Sequence, residues 1–193
     1  MGVGMSGLTA DGRSLVKYMR TEALNHKYVY GTPMQGSRLV IDVADMHQRC
    51  TQSYVRRPYG VGLLVATYDQ TGPHLYQTLP SGEYFECQAM AIGSRSQTSK
   101  TYLEREIDNF PSCTLDQLIT HALKALSVSL AGETELDSKS ASIAVVGVDK
   151  AFEIIDGEAL QVYLDRVDQS AAALGGNPDE LAGANMEMEE PDI

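Results

Sequence analysis

Hydrophobic period changes in blocks along this chain, strand-like to helix-like and back, and the order of the blocks leaves few folds open. Residues 2–8 read as a strand already under way at Met1, with no cap, polar leader or turn before it, so the sequence is expected to open inside a domain. Thr9 is expected to cap a helix over 9–28, with Leu15, Val16, Met19, Ala23 and Leu24 at helical spacing, and Gly31-Thr32-Pro33 breaks it. A second helix from Ser37 carries Leu39, Val40, Val43, Ala44, His47 and Cys50 on one face, with Arg38, Asp42, Asp45 and Arg49 largely opposite. Pro58 ends it. The period then drops to two. Residues 60–68, 73–79 and 83–92 are expected strands, separated by turns at 69–72 and 80–82. A helix over 95–108 follows, then one opened by the Thr114…Gln117 capping-box pattern and carrying Leu115, Leu118, Ile119, Ala122, Leu123 and Leu126. Strands over 142–148 and 152–155, joined at Asp149-Lys150, and a helix over 157–174 complete the pattern.

Strands arrive in runs and helices in pairs, which favours hairpins over parallel crossovers. The expected fold is α+β: two antiparallel sheets flanked by helix pairs. Residues 1–174 make one domain. Beyond them, residues 175–193 hold six acids, no base and two prolines, the composition of a solvated tail. No internal repeat is present.

Bulk composition removes several function classes. No run approaches the roughly 18 apolar residues of a membrane span. Three cysteines, Cys50, Cys87 and Cys113, are an odd number at unrelated spacings, which points to a reducing compartment rather than a disulfide framework. Net charge is −11, but residues 1–60 carry eight Lys/Arg against four Asp/Glu, a net +4, leaving −15 on the rest. An acidic whole argues against nucleic acid as the main partner. The asymmetry allows one face to meet a partner of different charge.

Candidate chemistry fails residue by residue. In "RRPYGVGLLVATYD", residues 56–69, Gly60-Val61-Gly62 precedes a strand, whereas phosphate loops and dinucleotide fingerprints follow one and open a helix. Gly60 and Gly62 are instead expected to let a strand enter close to a neighbouring backbone. His47 and Cys50 lie three apart on an apolar face without two further ligands, so a core role is expected. His26, His74 and His121 are scattered, and no Gly-x-Ser-x-Gly elbow exists. Cys87 has Glu86 beside it and no cationic neighbour in sequence. Thr32 could become an N-terminal threonine nucleophile after cleavage, but no lysine lies between Lys27 and Lys100 to tune it, and Pro33 follows directly. No catalytic residue, metal or cofactor is therefore expected.

Three stretches carry a family resemblance. Ser6-Gly7-Leu8-Thr9-Ala10-Asp11-Gly12-Arg13, Arg57-Pro58-Tyr59-Gly60-Val61-Gly62-Leu63-Leu64-Val65 and Ala89-Met90-Ala91-Ile92-Gly93, in that order, resemble proteasome α subunits. Gly72-Pro73-His74-Leu75-Tyr76-Gln77, Ser94-Arg95-Ser96-Gln97 and Thr101-Tyr102-Leu103-Glu104-Arg105 narrow this to the eukaryotic α type-1 class, over about residues 2–168. The resemblance implies the αββα four-layer sandwich of N-terminal nucleophile hydrolases. It further implies a non-catalytic subunit of the core particle's α ring, which supports ring assembly, gating and ubiquitin-dependent protein degradation in cytoplasm and nucleus. Implied partners are neighbouring α subunits, the β ring (met by the helix pair of residues 10–54) and a regulatory particle or other activators, with no nucleic acid and no membrane. Gly7 and Leu8 match positions near the pocket that receives activator tails. Thr9, Asp11, Arg57, Pro58, Tyr59, Gly60, Gly62 and Gly93 match signature positions with structural roles. The family's Tyr-Asp-Arg gate element, its first helix and two strands have no counterpart before Gly2, so the gate residues and the pocket lysine are not assigned. Two alternatives stand beside this reading: an active N-terminal threonine hydrolase, and a truncated, free-standing binding isoform.

Overall fold

The computed structural model describes residues 1–130, 136–148 and 150–173. Their elements run β1 (Gly2–Gly7), α1 (Thr9–Tyr30), α2 (Gly36–Thr51), β2 (Val61–Asp69), β3 (Gly72–Thr78), β4 (Tyr84–Cys87), α3 (Ser96–Glu106), a 3₁₀ turn (Ile107–Ser112), α4 (Leu115–Ser127), β5 (Ile143–Gly147), β6 (Lys150–Ile155) and α5 (Gly157–Ala173). The expected acidic tail from Gly175, and Asp149 of the expected tight turn, lie outside the described residues.

β1 to β4 form one antiparallel sheet in sequence order, with Ser6 opposite Gly62, Val65 opposite Tyr76 and Gln77 opposite Phe85. β5 and β6 form a second antiparallel pair. Side chains of a strand alternate between faces, so each face of β2 needs its own cover. Val61, Leu63 and Val65 point into a core completed by Leu15 and Met19 of α1, Leu39, Val40 and Val43 of α2, and Tyr76 of β3. The other side of the sheet meets β5, which lies against β1 and β2. Beyond it α4 and α5 enclose a second core of Ile119, Leu123, Val145, Leu160, Leu164 and Val167. The layers are therefore helix pair, sheet, sheet, helix pair: the α+β sandwich expected from the block order. No helix among the described residues is long and apolar enough to cross a membrane.

Several boundaries differ from expectation, each for a local reason. Thr9 does not cap α1. Leu8 occupies the cap position in extended conformation, Thr9 is the first helical residue, and no side-chain cap bond forms. The third strand stops at Cys87 rather than reaching 92, because the β3–β4 ladder ends at Leu75 opposite Cys87. Beyond Leu75, β3 runs into Pro73, which has no N–H to extend the pairing. The expected helix over 95–108 ends at Glu106 and tightens into the 3₁₀ turn that contains Pro111. Arg95 precedes it with φ 57°, the sole non-glycine residue of positive φ among those described.

α4 begins with its capping box formed, Thr114 N–H donating to Gln117 Oε1 at 2.8 Å. Its apolar face, however, divides. Ile119 and Leu123 enter the second core, while Leu118, Ala122 and Leu126 line an apolar cavity of about 410 Å³. Leu64 and Leu75 of the sheet, residues 88–92 and Leu103 of α3 complete its walls.

Candidate functional site

The signature residues converge on one joint, where β1 hands over to α1 beside the start of β2. β1 ends at Gly7 with φ 130°, a region that L side chains rarely adopt. A Cβ there would run into the carbonyl oxygen of Gly60, so Gly7 is where two backbones approach most closely. Leu8 N–H donates to that same carbonyl at 2.8 Å, and the Leu8 carbonyl accepts from Gly12 N–H at 3.0 Å, starting the helix.

One turn into α1, the Asp11 carboxylate locks the joint. Arg57 donates to it in the two-pronged geometry that a guanidinium offers a carboxylate, Nη1 to Oδ2 at 2.6 Å and Nη2 to Oδ1 at 2.8 Å. Gly60 N–H adds a third bond to Oδ2 at 3.0 Å. Asp11 is only 7% exposed, whereas the Arg57 side chain reaches solvent. Those bonds, Arg57's first and Gly60's next, hold the Asp11 pKa down at about 2 against a desolvation penalty that opposes them. Arg57 is pushed further up by the same carboxylate. The first-turn position adds a favourable contact between Asp11 and the positive end of the helix dipole.

The remaining signature positions surround this ion pair. The Pro58 carbonyl accepts from Arg57 Nη1 at 3.1 Å. Tyr59 packs against the first core and sets its ring edge-on to buried His47, centroids 5.3 Å apart. His47 in turn bonds through Nδ1 to the Val43 carbonyl at 2.9 Å, which leaves Nε2 buried with no partner shown. Gly93, at φ 110°, sits over Ser6, whose hydroxyl would lie 3.1 Å from an added Cβ. Thr9 and Leu8 are exposed. Gly62 lies opposite Ser6, yet a Cβ on it would meet only the Thr78 carbonyl at 3.6 Å, an ordinary contact. The close approach expected of Gly62 thus belongs to Gly7.

A shallow recess of about 310 Å³, lined by Asp11, Cys50, Arg56, Arg57 and Tyr59, opens beside the joint. Chemically, the arrangement is a clamp. Its acid is held ionised and ion-paired, and among the described residues its carboxylate is bonded to Arg57 and Gly60 rather than to a nucleophile. Among the described residues no group of His, Cys, Asp and Glu could hold a metal ion. What sequence reading missed is the pairing itself. Asp11 and Arg57 both match signature positions, but they stand 46 residues apart, and only the β1–β2 register brings them together.

Comparison with known proteins agrees with the motifs. A family described as "Proteasome subunit" matches residues 1–146. Proteasome subunit alpha type-1 of Dictyostelium discoideum is 52% identical over 166 residues, covering 86% of this chain and 67% of that protein. Its counterpart in Trypanosoma brucei rhodesiense is 46% identical, covering 86% and 62%, and that in Drosophila melanogaster is 44% identical, covering 82% and 58%. The chain thus spans from just under three-fifths to about two-thirds of the length of these relatives. With the signature residues gathered at one joint of an αββα sandwich and the family match over residues 1–146, the chain belongs to the proteasome subunit family.

Proposed function

We propose that this chain is a non-catalytic, α-type structural subunit of the proteasome core particle. It would support ring assembly, gating and ubiquitin-dependent degradation in cytoplasm and nucleus. The observation that carries the reading is an apolar surface with nothing to pack on. Past Met19 no residue of α1 is buried, and Leu24, Tyr28, Val29 and Tyr30 stand exposed, as do Tyr54 and Val55 after α2. Exposed apolar side chains grouped on a helix end in this way are the kind of surface that protein–protein contacts cover. Similarity to proteins named proteasome subunit alpha type-1 supports other proteasome subunits as the class of partner, and neighbouring α subunits and β-ring subunits would be the ones met. Activators would approach exposed Gly7 and Leu8, beside the recess that carries Arg56 and Arg57.

A threonine-hydrolase reading fares worse. Thr32 lies between α1 and α2, and cleavage before it would sever α1, whose Leu15 and Met19 complete the first core. Mass spectrometry of the mature N-terminus separates the two: a chain beginning at a threonine would overturn the structural-subunit proposal. Size-exclusion chromatography of cell extract tests the assembly. Migration with a large ring particle is the expected result, and migration as a free monomer would favour the free-standing isoform.

A further inference from the structure

At the far end of β2 from the Asp11 joint, side chains from three strands and a turn gather around one imidazole. His74 is the third residue of β3, opposite Thr67 of β2. Asp69, the last residue of β2, closes the turn: its Oδ1 accepts from Thr71 N–H at 2.8 Å and from the Thr71 hydroxyl at 2.5 Å. The oxygen of that hydroxyl lies 2.7 Å from His74 Nε2, and Asp69 Oδ1 is 3.3 Å from the same nitrogen. On the opposite edge of the ring, Nδ1 is 2.5 Å from Glu86 Oε1 of β4. The Tyr76 ring stacks near the imidazole, centroids 6.0 Å apart.

Proton accounting distinguishes the charge states of this cluster. Thr71 has a single hydroxyl proton. With His74 as imidazolium, Nδ1–H donates to Glu86, Nε2–H donates to the Thr71 oxygen, and the Thr71 hydroxyl donates to Asp69. Every donor then has one acceptor. If Nε2 loses its proton, the Thr71 hydroxyl must turn from Asp69 to serve it. If Nδ1 loses its proton, a lone pair faces a carboxylate oxygen. Neither neutral tautomer satisfies the cluster.

We propose that Asp69, Thr71, His74 and Glu86 form a proton-operated latch that pins the end of edge strand β4 to the β2–β3 turn. The latch is closed while His74 is an imidazolium and releases when the ring loses its proton. Its position gives the release a consequence. The β3–β4 ladder ends at Leu75 opposite Cys87, and the chain then runs directly into residues 88–92, one wall of the apolar cavity. Opening the latch frees the strand end from which that wall is hung.

The charges facing His74 agree in sign. Asp69 comes from β2 and Glu86 from β4, while the cation contributed by α3, Lys100, bears on Cys87, the next residue of β4. Glu86's hydrogen bond, opposed by desolvation and aided by the charge of Asp69, raises the His74 pKa above its ordinary 6.5. For a group raised in the folded state, the stabilisation is complete below the ordinary value and disappears as pH rises through the elevated one. The latch therefore opens as pH rises through a midpoint above the ordinary histidine value.

Hydrogen exchange of the backbone amides of residues 86–92 tests this in the full 193-residue chain. Rates are read from about pH 5.5 to about pH 8.5 and normalised for intrinsic exchange, alongside NMR titration of the His74 ring. Protection should fall as His74 deprotonates, by about tenfold for each unit by which the closed latch raises its pKa. In His74→Gln the protection should be flat across the range. In Glu86→Gln the His74 midpoint should drop and the loss of protection should follow it. Wild-type protection that ignores pH, or an unchanged pH dependence in His74→Gln, overturns the latch. Should His74→Gln fail to fold, Glu86→Gln decides alone: its side chain is half exposed, and an unmoved His74 midpoint is fatal to the proposal.

Discussion

Gly7 and Gly62 both belong to the β1–β2 ladder, and only Gly7 has to be a glycine. Gly7→Ala places a Cβ at φ 130° against the Gly60 carbonyl, so it should destabilise the fold by at least about 1–3 kcal/mol. Gly62→Ala meets ordinary contacts and should change stability by less than about 1 kcal/mol. Urea unfolding of the pair measures this, and equal costs would contradict the assigned close approach. Asp11 makes a second prediction at this scale. Its depressed pKa contributes stability that is full above the ordinary carboxylate value of 3.8 and is lost as pH falls through about 2. Thermal unfolding between pH 5 and pH 2 should therefore show a shallower decline for Asp11→Asn than for the wild type, from a lower starting Tm. Parallel declines would mean that the ion pair does not survive in solution. The sequence showed which residues were unusual but not the space around them. A glycine pair looks alike whether a backbone or open room faces it, and an aspartate carries no mark of an arginine 46 residues on.

Elements were more legible than their ends. Period-two and period-3.6 blocks placed the elements that bury a face, such as β2 with Val61, Leu63 and Val65 and α2 with Leu39, Val40 and Val43. Ends depend on what a neighbour can offer. β4 stops where β3 runs out of partners, and α1 starts without the threonine cap that its sequence promises. The two threonines that head helices make the test. Thr114 participates in a formed capping box, so Thr114→Ala should cost about 1 kcal/mol. Thr9 is exposed, already helical and caps nothing, so Thr9→Ala should fall within about 0.5 kcal/mol of the wild type. Equal losses on urea unfolding would show that Thr9 makes a contact its position does not reveal. The apolar stripe of α4 carries the same lesson. Leu118 and Leu126 match the helical period as well as Ile119 does, yet they face a cavity, and no periodicity records what lies opposite.

At the scale of the molecule, layer order was readable from strands in runs and helices in pairs, whereas the outward surfaces were not, since an apolar residue left exposed looks in sequence like one buried in the core. Leu24 shows this: it fits the helical stripe of α1 and is 68% exposed. α1 is 22 residues long, about 33 Å at the rise of an α-helix, and its first half alone rests on the sheet and α2. In its second half, His26 Nδ1 lies 3.2 Å from the Thr32 carbonyl, the His26 and Tyr30 rings meet at a tilt, and the Arg38 guanidinium lies 6.0 Å from the Tyr30 ring centre. Tyr28, 90% exposed, makes no contribution to either core. Changing it separates folding from assembly. Tyr28→Lys should leave the urea midpoint within about 0.5 kcal/mol of the wild type, because a solvated side chain is exchanged for another. If α1 docks on a neighbouring subunit, the same change buries an unpaired charge in that contact, and co-assembly should weaken by about tenfold or more. Native mass spectrometry of the chain co-expressed with its partner subunits reads the difference. Loss of particle with folding intact places the interface on this helix; full assembly by Tyr28→Lys would move it elsewhere and leave the exposed end of α1 without an explanation.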